Sequence, residues 1–289
     1  MIKRKSSQCV SVFYRPDNPK AVLWSKKIVG WIKKKYPRVE LTQVYPHSKV
    51  FGVGALIVLG GDGTILEASQ KYQKKSPIIV GLNLGHVGFL ASVREPNKFF
   101  GALEQFFSGK YRAVKRMMIK AEVFRKGRKV FSANSLNEFS IQSLLGIVEI
   151  EANIDGHPVQ YIRGTGVLVA TSTGSTAYNL SAHGPIVMPD IKCMILTEIM
   201  DHNIPTPSIV IKRDREVELK ITDFRRRGLL KIAKNNKDAD VVITADGENI
   251  FPLEVGDIIK IKRSPGLIKF AELERAYFFK SLRSKFGFR

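Results

Sequence analysis

Apolar and polar positions change period repeatedly along the first hundred residues. Residues 9–14 form a short apolar-rich run that reads as a strand, and 19–36 place apolar residues at 21, 24, 28, 31 and 32 with lysines between them, the spacing of a helix. Residues 39–45 are rich in β-formers, 55–59 are continuously apolar, 64–75 read as a helix, 77–82 as a strand and 96–108 as a helix. Strand and helix in alternation predict a mostly parallel sheet covered by helices, a Rossmann-like α/β unit.

After residue 110 the period shortens to two. Runs at 117–125 and 129–133 flank Lys126-Gly127-Arg128, and runs at 148–154 and 159–162 flank Asp155-Gly156-His157-Pro158; both read as hairpins. Short β-rich runs recur at 209–212, 216–222, 241–245 and 257–263. The pattern predicts an α/β domain over 1–112, a β-rich, β-sandwich-like domain over 113–268, and a segment at 269–289 that returns to the first domain.

Composition narrows the class. With 44% hydrophobic residues among 289, the chain can build packed cores and is not of the disordered type. Its apolar runs fall well short of the roughly 20 residues that span a bilayer, so no membrane partner is expected. Cys9 and Cys193 stand alone, which suggests reduced thiols in a cytoplasmic protein. A net charge of +21 implies attraction to polyanions, yet no Cys/His finger or aromatic ribonucleoprotein box accompanies it, so a nucleic-acid partner is not expected. His47, His86, His157, His183 and His202 show no metal-ligand spacing. His86 lies in a glycine-bearing loop; the other four read as structural or exposed.

The sharpest chemistry lies at Gly60-Gly61-Asp62-Gly63-Thr64, directly after the apolar strand at 55–59. Glycine-rich turns before helix N-termini favour phosphate, because free N–H groups and the helix dipole both present positive potential there. Asp62 would repel a bare phosphate. It makes sense either as a ligand of Mg²⁺ bridged to phosphate oxygens or as a base for an attacking hydroxyl. Thr64 and Glu67, three apart, fit a capping box. Gly60, Gly61 and Gly63 are candidates to admit phosphates.

The Gly-Gly-Asp-Gly-Thr string resembles a signature shared by NAD kinases and the related diacylglycerol, sphingosine and phosphofructokinase families. Three further segments are similar to NAD kinases. Asn83, Gly85, Gly88 and Phe89 match an Asn-x-Gly-x-x-Gly-Phe-Leu loop, with an amide and an aromatic face available to a nucleotide. Asn137 and Glu138, adjacent in a strand-like run and so expected on opposite faces, match a pair that contacts the adenosine part of NAD. Thr171 to Asn179 closely matches a hydroxyl-rich loop, and by this match Thr173, Thr176, Ala177, Tyr178 and Ser181 fall on NAD-contacting positions. Asp246-Gly247-Glu248 is a weaker match and an equally good hairpin turn.

The resemblance implies an NAD kinase: ATP as phosphoryl donor, Mg²⁺ as cofactor, the 2′-hydroxyl of the adenosine ribose as acceptor, and a homodimer or homotetramer. A lipid kinase and a basic nucleic-acid-binding protein are the alternatives. The chain departs from the family at Thr165, where an Asp usually stands in an Arg-Gly-Asp-Gly string near the ribose–nicotinamide half of NAD. That change opens NADH, or another adenosine-bearing molecule, as acceptor.

Overall fold

A computed structural model describes residues 9–45, 54–86, 88–202, 206–232, 236–274 and 276–287. His47 lies outside the described residues. The chain divides into two compact units, Met1–Lys115 with Leu267–Arg289, and Arg116–Gly266.

The first unit begins with β1 (Cys9–Tyr14), α1 (Pro19–Lys35), β2 (Glu40–Val44), β3 (Ala55–Leu59), α2 (Asp62–Tyr72), β4 (Ile78–Leu82) and α3 (Phe99–Phe107). Its strands run β2-β1-β3-β4, every neighbouring pair parallel. All five residues of β3 are buried, as expected of a central parallel strand covered on both faces. Helix α1 starts where the Asn18 side chain accepts the N–H of Ala21 and Pro19 holds the first helical position. Its buried residues, Ala21, Ser25, Ile28 and Ile32, form one stripe, and Lys33, Lys34 and Lys35 complement the dipole at its end.

Next come β5 (Arg112–Arg125), β6 (Arg128–Ser135), β7 (Glu138–Ser143), β8 (Val148–Ile154), β9 (His157–Thr171), α4 (Tyr178–Ser181), β10 (Cys193–Asp201), β11 (Ile209–Lys212), β12 (Val217–Phe224), β13 (Lys231–Ile232), β14 (Lys237–Asp238), β15 (Val241–Ala245), β16 (Glu248–Pro252) and β17 (Ile258–Glu272); β6 to β16 lie wholly in the second unit, β5 starts in the first and β17 ends in it. The ladders within the second unit are antiparallel; β7, β8 and β10 all pair with the long β9. The turns at Lys126-Gly127, Asp155-Gly156 and Asp246-Gly247 each place two residues at positive φ, the signature of two-residue hairpins, so the hairpin expectations hold. Phe139, Ile141, Ile150, Val167, Val169, Leu219 and Ile259 are among its core residues.

Strand β17 pairs with β12 over 258–261 and, in parallel, with β4 over 269–270. Helix α5 (Tyr277–Phe286) follows it within the first unit. The fold is therefore α/β at the start of the chain and β-rich after it.

Candidate active site

Backbone geometry at the end of β3 corrects one expectation at once. Helix α2 begins at Asp62 with Gly61 as its cap and no side-chain cap, so Thr64 is the third helical residue and the capping box does not form. Thr64 instead fills the space beside Gly60, where a Cβ would stand 2.5 Å from its Oγ1. Gly61 and Gly63 have nothing within 4 Å of their Cβ positions, so their backbone is open at the start of the helix.

Asp62 is the first residue of α2 and is partly exposed. Its carboxylate accepts the N–H of Phe89 at 2.6 Å and of Leu90 at 3.2 Å. Gly88 lies so close that a Cβ there would sit 2.1 Å from Asp62 Oδ1. Only glycine lets this loop close over the carboxylate. Burial pushes the Asp62 carboxyl above its ordinary range, and the two amides, Lys285 and Arg94 pull it back.

The other expected residues of this loop serve the loop itself. Asn83 accepts the N–H of Gly85 through Oδ1 and donates through Nδ2 to the His86 carbonyl. The Phe89 ring does not offer a face to a nucleotide. It is 7% exposed and packs 5.7 Å from Phe278 and 6.4 Å from Phe286 of α5. The reason is the return of the C-terminal helix, which covers the ring. His86 is exposed, as are His157, His183 and His202.

A second cluster forms within the β-rich unit. Strand β7 begins at Glu138, so Asn137 precedes the strand and the two residues do not alternate across a sheet: both are buried. The Asp246 carboxylate explains this, accepting from the backbone N–H groups of Leu136, Asn137 and Glu138 at 2.7–3.0 Å and from the Ser135 hydroxyl. Asp246 thus fixes the segment before β7, and its DG turn also closes the β15–β16 hairpin.

Thr171, at the end of β9, staples the next loop to the same segment. Its N–H donates to the Asn137 carbonyl at 2.7 Å and its hydroxyl to that of Leu136 at 2.6 Å. The same hydroxyl accepts the N–H groups of Thr173 and Gly174. Gly174 is pressed so close that a Cβ would meet the Asn137 carbonyl oxygen at 2.2 Å. Thr173 and Thr176 are buried, Ala177 is partly buried, Ser181 is exposed, and Tyr178 is 37% exposed with its hydroxyl donating to Gln142. The expected helix is a single turn, α4. Asn179 is buried and structural: Oδ1 accepts the Thr197 hydroxyl and Nδ2 donates to the Pro185 carbonyl.

The backbone groups of Asn137 and Glu138 are hydrogen-bonded, whereas Glu138 Oε2 is buried without a partner. Burial, then the Asp246 charge, pushes the Glu138 carboxyl up to about 8. Thr165 is not brought to this cluster. It lies mid-strand in β9, five residues before the Ala170 that pairs with Glu138, roughly 17 Å of extended chain.

Arg94, Tyr277, Ser281 and Lys285 around Asp62, and the stapling role of Thr171 in the second cluster, emerge only from the structure. For Thr171 the hydroxyl-rich loop was the signal; for the other four no local pattern exists. Among the described residues no group of three or more His, Cys, Asp or Glu side chains is arranged to hold a metal ion. Asp62, partly exposed beside open glycines, fits the one-carboxylate mode in which Mg²⁺ keeps most of its contacts to phosphate and water.

Comparison with known proteins matches each unit. The ATP-NAD kinase N-terminal domain model matches residues 25–111, and the ATP-NAD kinase C-terminal domain model matches residues 136–273. An NAD kinase of Lachnoclostridium phytofermentans is 37% identical over 239 residues, 81% of this chain and 80% of its own. One of Geobacter metallireducens is 32% identical over 289 residues, covering 96% of this chain and 97% of its own. Among solved structures, yeast NADH kinase complexed with NADH superposes with a TM-score of 0.86 at 19% identity, covering 99% of this chain and 89% of that one. An Archaeoglobus fulgidus NAD kinase in complex with ATP gives 0.72 at 23%, covering 95% and 99%. Those two likenesses show the fold. Both domain models in order along the chain, with relatives above 30% identity over most of its length, establish that the chain belongs to the ATP-NAD kinase family.

Proposed function

We propose that this protein is an NAD kinase that transfers the γ-phosphoryl group of ATP to the 2′-hydroxyl of the adenosine ribose of NAD, giving NADP and ADP. The observation that carries the acceptor assignment is the pair Asn137 and Glu138. Their backbone groups are bonded to Asp246 and Thr171, while Glu138 Oε2 is buried without a partner and is left for a ligand, next in sequence to the Asn137 amide. Buried polar groups without partners cost stability unless something binds them. Thr173, Thr176, Ala177, Tyr178 and Ser181 continue the same surface toward the dinucleotide, with Asp246 holding the segment in place. Thr165, away from that cluster, is assigned to the ribose–nicotinamide half on resemblance alone.

Phosphoryl transfer is mostly positioning and charge neutralisation. Gly60, Gly61, Gly63 and Thr64 present the helix start to the phosphates. Asp62 accepts the proton of the 2′-hydroxyl as its oxygen bonds to the γ-phosphorus and the bond to the bridging oxygen of ADP breaks. Mg²⁺ held by the phosphates would supply charge neutralisation. Asn83 and Phe89 shape the loop that holds Asp62. A cytoplasmic location accords with two unpaired thiols, Cys9 and Cys193. A homodimer or homotetramer accords with Met200 and Val210, 77% and 55% exposed on β10 and β11; light scattering decides it.

The test is to supply Mg-ATP with NAD, and separately with NADH, and detect the phosphorylated product with an NADP-dependent dehydrogenase. Polyphosphate in place of ATP tests the donor. Folded protein that makes neither NADP nor NADPH refutes the reading. Asp62→Asn should cost on the order of 10²-fold in kcat, and wild-type turnover in that variant would reduce Asp62 to a turn residue.

A further inference from the structure

We propose that helix α5 is a positioning element for Asp62: Tyr277 and Ser281 grip the carbonyl of Gly88, and the same peptide group offers its N–H to the carboxylate. The inference rests on the reading of Asp62 as the base. Ser281 Oγ donates to the Gly88 carbonyl at 3.0 Å and the Tyr277 hydroxyl at 3.3 Å. The Gly88 C=O and the Phe89 N–H belong to one planar trans peptide, so they point in opposite directions and rotate together. Fixing the carbonyl therefore fixes the N–H that Asp62 accepts at 2.6 Å. Two donors on a carbonyl also polarise its peptide and strengthen the N–H as a donor.

Arg94 locks the grip from behind. Its guanidinium donates to the Tyr277 carbonyl and Ser281 Oγ through one nitrogen and to the Lys280 carbonyl and Ser284 Oγ through another, and it lies 4.7 Å over the Tyr277 ring. The bonds form a directed chain: guanidinium to Ser281, Ser281 to the Gly88 carbonyl, Phe89 N–H to Asp62. Tyr277 and Ser281, four apart, are the buried residues of α5. Phe278 and Phe286 pack on Phe89, and Lys285 Nζ sits 5.3 Å from the Phe89 ring centre. The charged and titratable groups acting on Asp62 are thus Arg94 from its own loop and Tyr277 and Lys285 from α5. His86, in the same loop, is exposed. Burial pushes the Tyr277 phenol up to about 12, so it remains a donor through the working range.

The experiment compares Ser281→Ala and Tyr277→Phe with wild type in kcat, in KM for NAD and for ATP, and in the pH dependence of kcat. Each variant is expected to lose on the order of tenfold in kcat, one hydrogen bond's worth, with both KM values within about twofold. The acid limb of the kcat profile is expected to move to higher pH, because a weakened donor stabilises the carboxylate less. Tyr277→Phe deletes one oxygen and decides the matter if Ser281→Ala does not fold. Unchanged kcat and acid limb in folded Tyr277→Phe overturn the proposal, and so does a loss that only tracks the folded fraction. Failure of the underlying reading looks different: Asp62→Asn would then turn over like wild type, and the positioning role would fall with it.

Discussion

Glu138 offers the most demanding test of the reasoning, through Glu138→Gln. The carboxyl is 7% exposed, has an oxygen without a partner, and stands near the Asp246 charge, which together raise it to about 8 from an ordinary 4.5. A raised carboxyl contributes stability that is fully present below the unfolded value and is lost as pH rises through the folded one. Between roughly pH 4.5 and 8 the unfolded chain has released this proton while the folded chain keeps it. Stability therefore falls by about 1.4 kcal/mol per pH unit, about 5 kcal/mol across the window, and levels off above it. Glutamine keeps the shape and has no proton to lose. The difference between variant and wild type should grow by about 2 kcal/mol from pH 6 to pH 8 and then flatten, while contributions from other groups cancel. Hydrogen exchange of the β7 and β15 amides reads the opening of this unit, and a carboxyl ¹³C titration reads the proton itself. A difference that does not change with pH, or a titration near 4.5, would refute the burial argument.

Gly88→Ala puts a methyl 2.1 Å from Asp62 Oδ1. It should lower kcat on the order of 10²-fold in steady-state assays, with a stability loss of about 1–3 kcal/mol typical of overpacking. Gly101→Ala is the contrast: the residue lies exposed within α3 with nothing within 4 Å of its Cβ position. It should raise stability by about 0.5–1 kcal/mol on thermal melting and leave kcat alone. Asp257→Ala removes a carboxylate that is fully buried and accepts from both Nε and one terminal nitrogen of Arg125. Glu254 and the Pro252 carbonyl still engage that guanidinium, so losing the buried charge-assisted hydrogen bonds should cost about 1.5–3 kcal/mol in chemical denaturation.

Local signals succeed in the sequence where one element's own chemistry decides its form. Asn18-Pro19 starts α1 and a lysine triplet ends it, so periodicity and caps agree. Strand β3 is apolar throughout because both its faces are covered. Reading fails where a distant strand decides. Ser264-Pro265-Gly266 looks like a break, yet β17 runs through it to Glu272 because its two ends have separate partners, β12 and β4. Arg163-Gly164-Thr165-Gly166 lies mid-strand in β9, beyond the 159–162 run that the periodicity marks. There a Cβ at Gly166 would stand 2.0 Å from the Ile141 carbonyl oxygen of the neighbouring strand. The site divides the same way. Asp62 and the Thr171–Asn179 loop stand out by residue type and order, whereas the grip on Gly88 joins residues 189 and 193 positions apart and leaves no local trace.

Asp62, partly exposed, and Glu138, buried, carry carboxyl groups in contrasting surroundings. Both are pushed up by burial. At Asp62 that push is opposed by two backbone amides and by Lys285 and Arg94, so the charged form is supported from several sides. Glu138 has no such opposition: its second influence is the like charge of Asp246, which pushes the same way. Glu138 near neutral pH is mostly a protonated carboxyl, a hydrogen-bond donor as well as an acceptor, while the donors around Asp62 favour its charged form against the push of burial. Exchanging the environments, by removing the donors at Asp62 or giving Glu138 a cation, would therefore damage catalysis in the first case and change ligand recognition in the second.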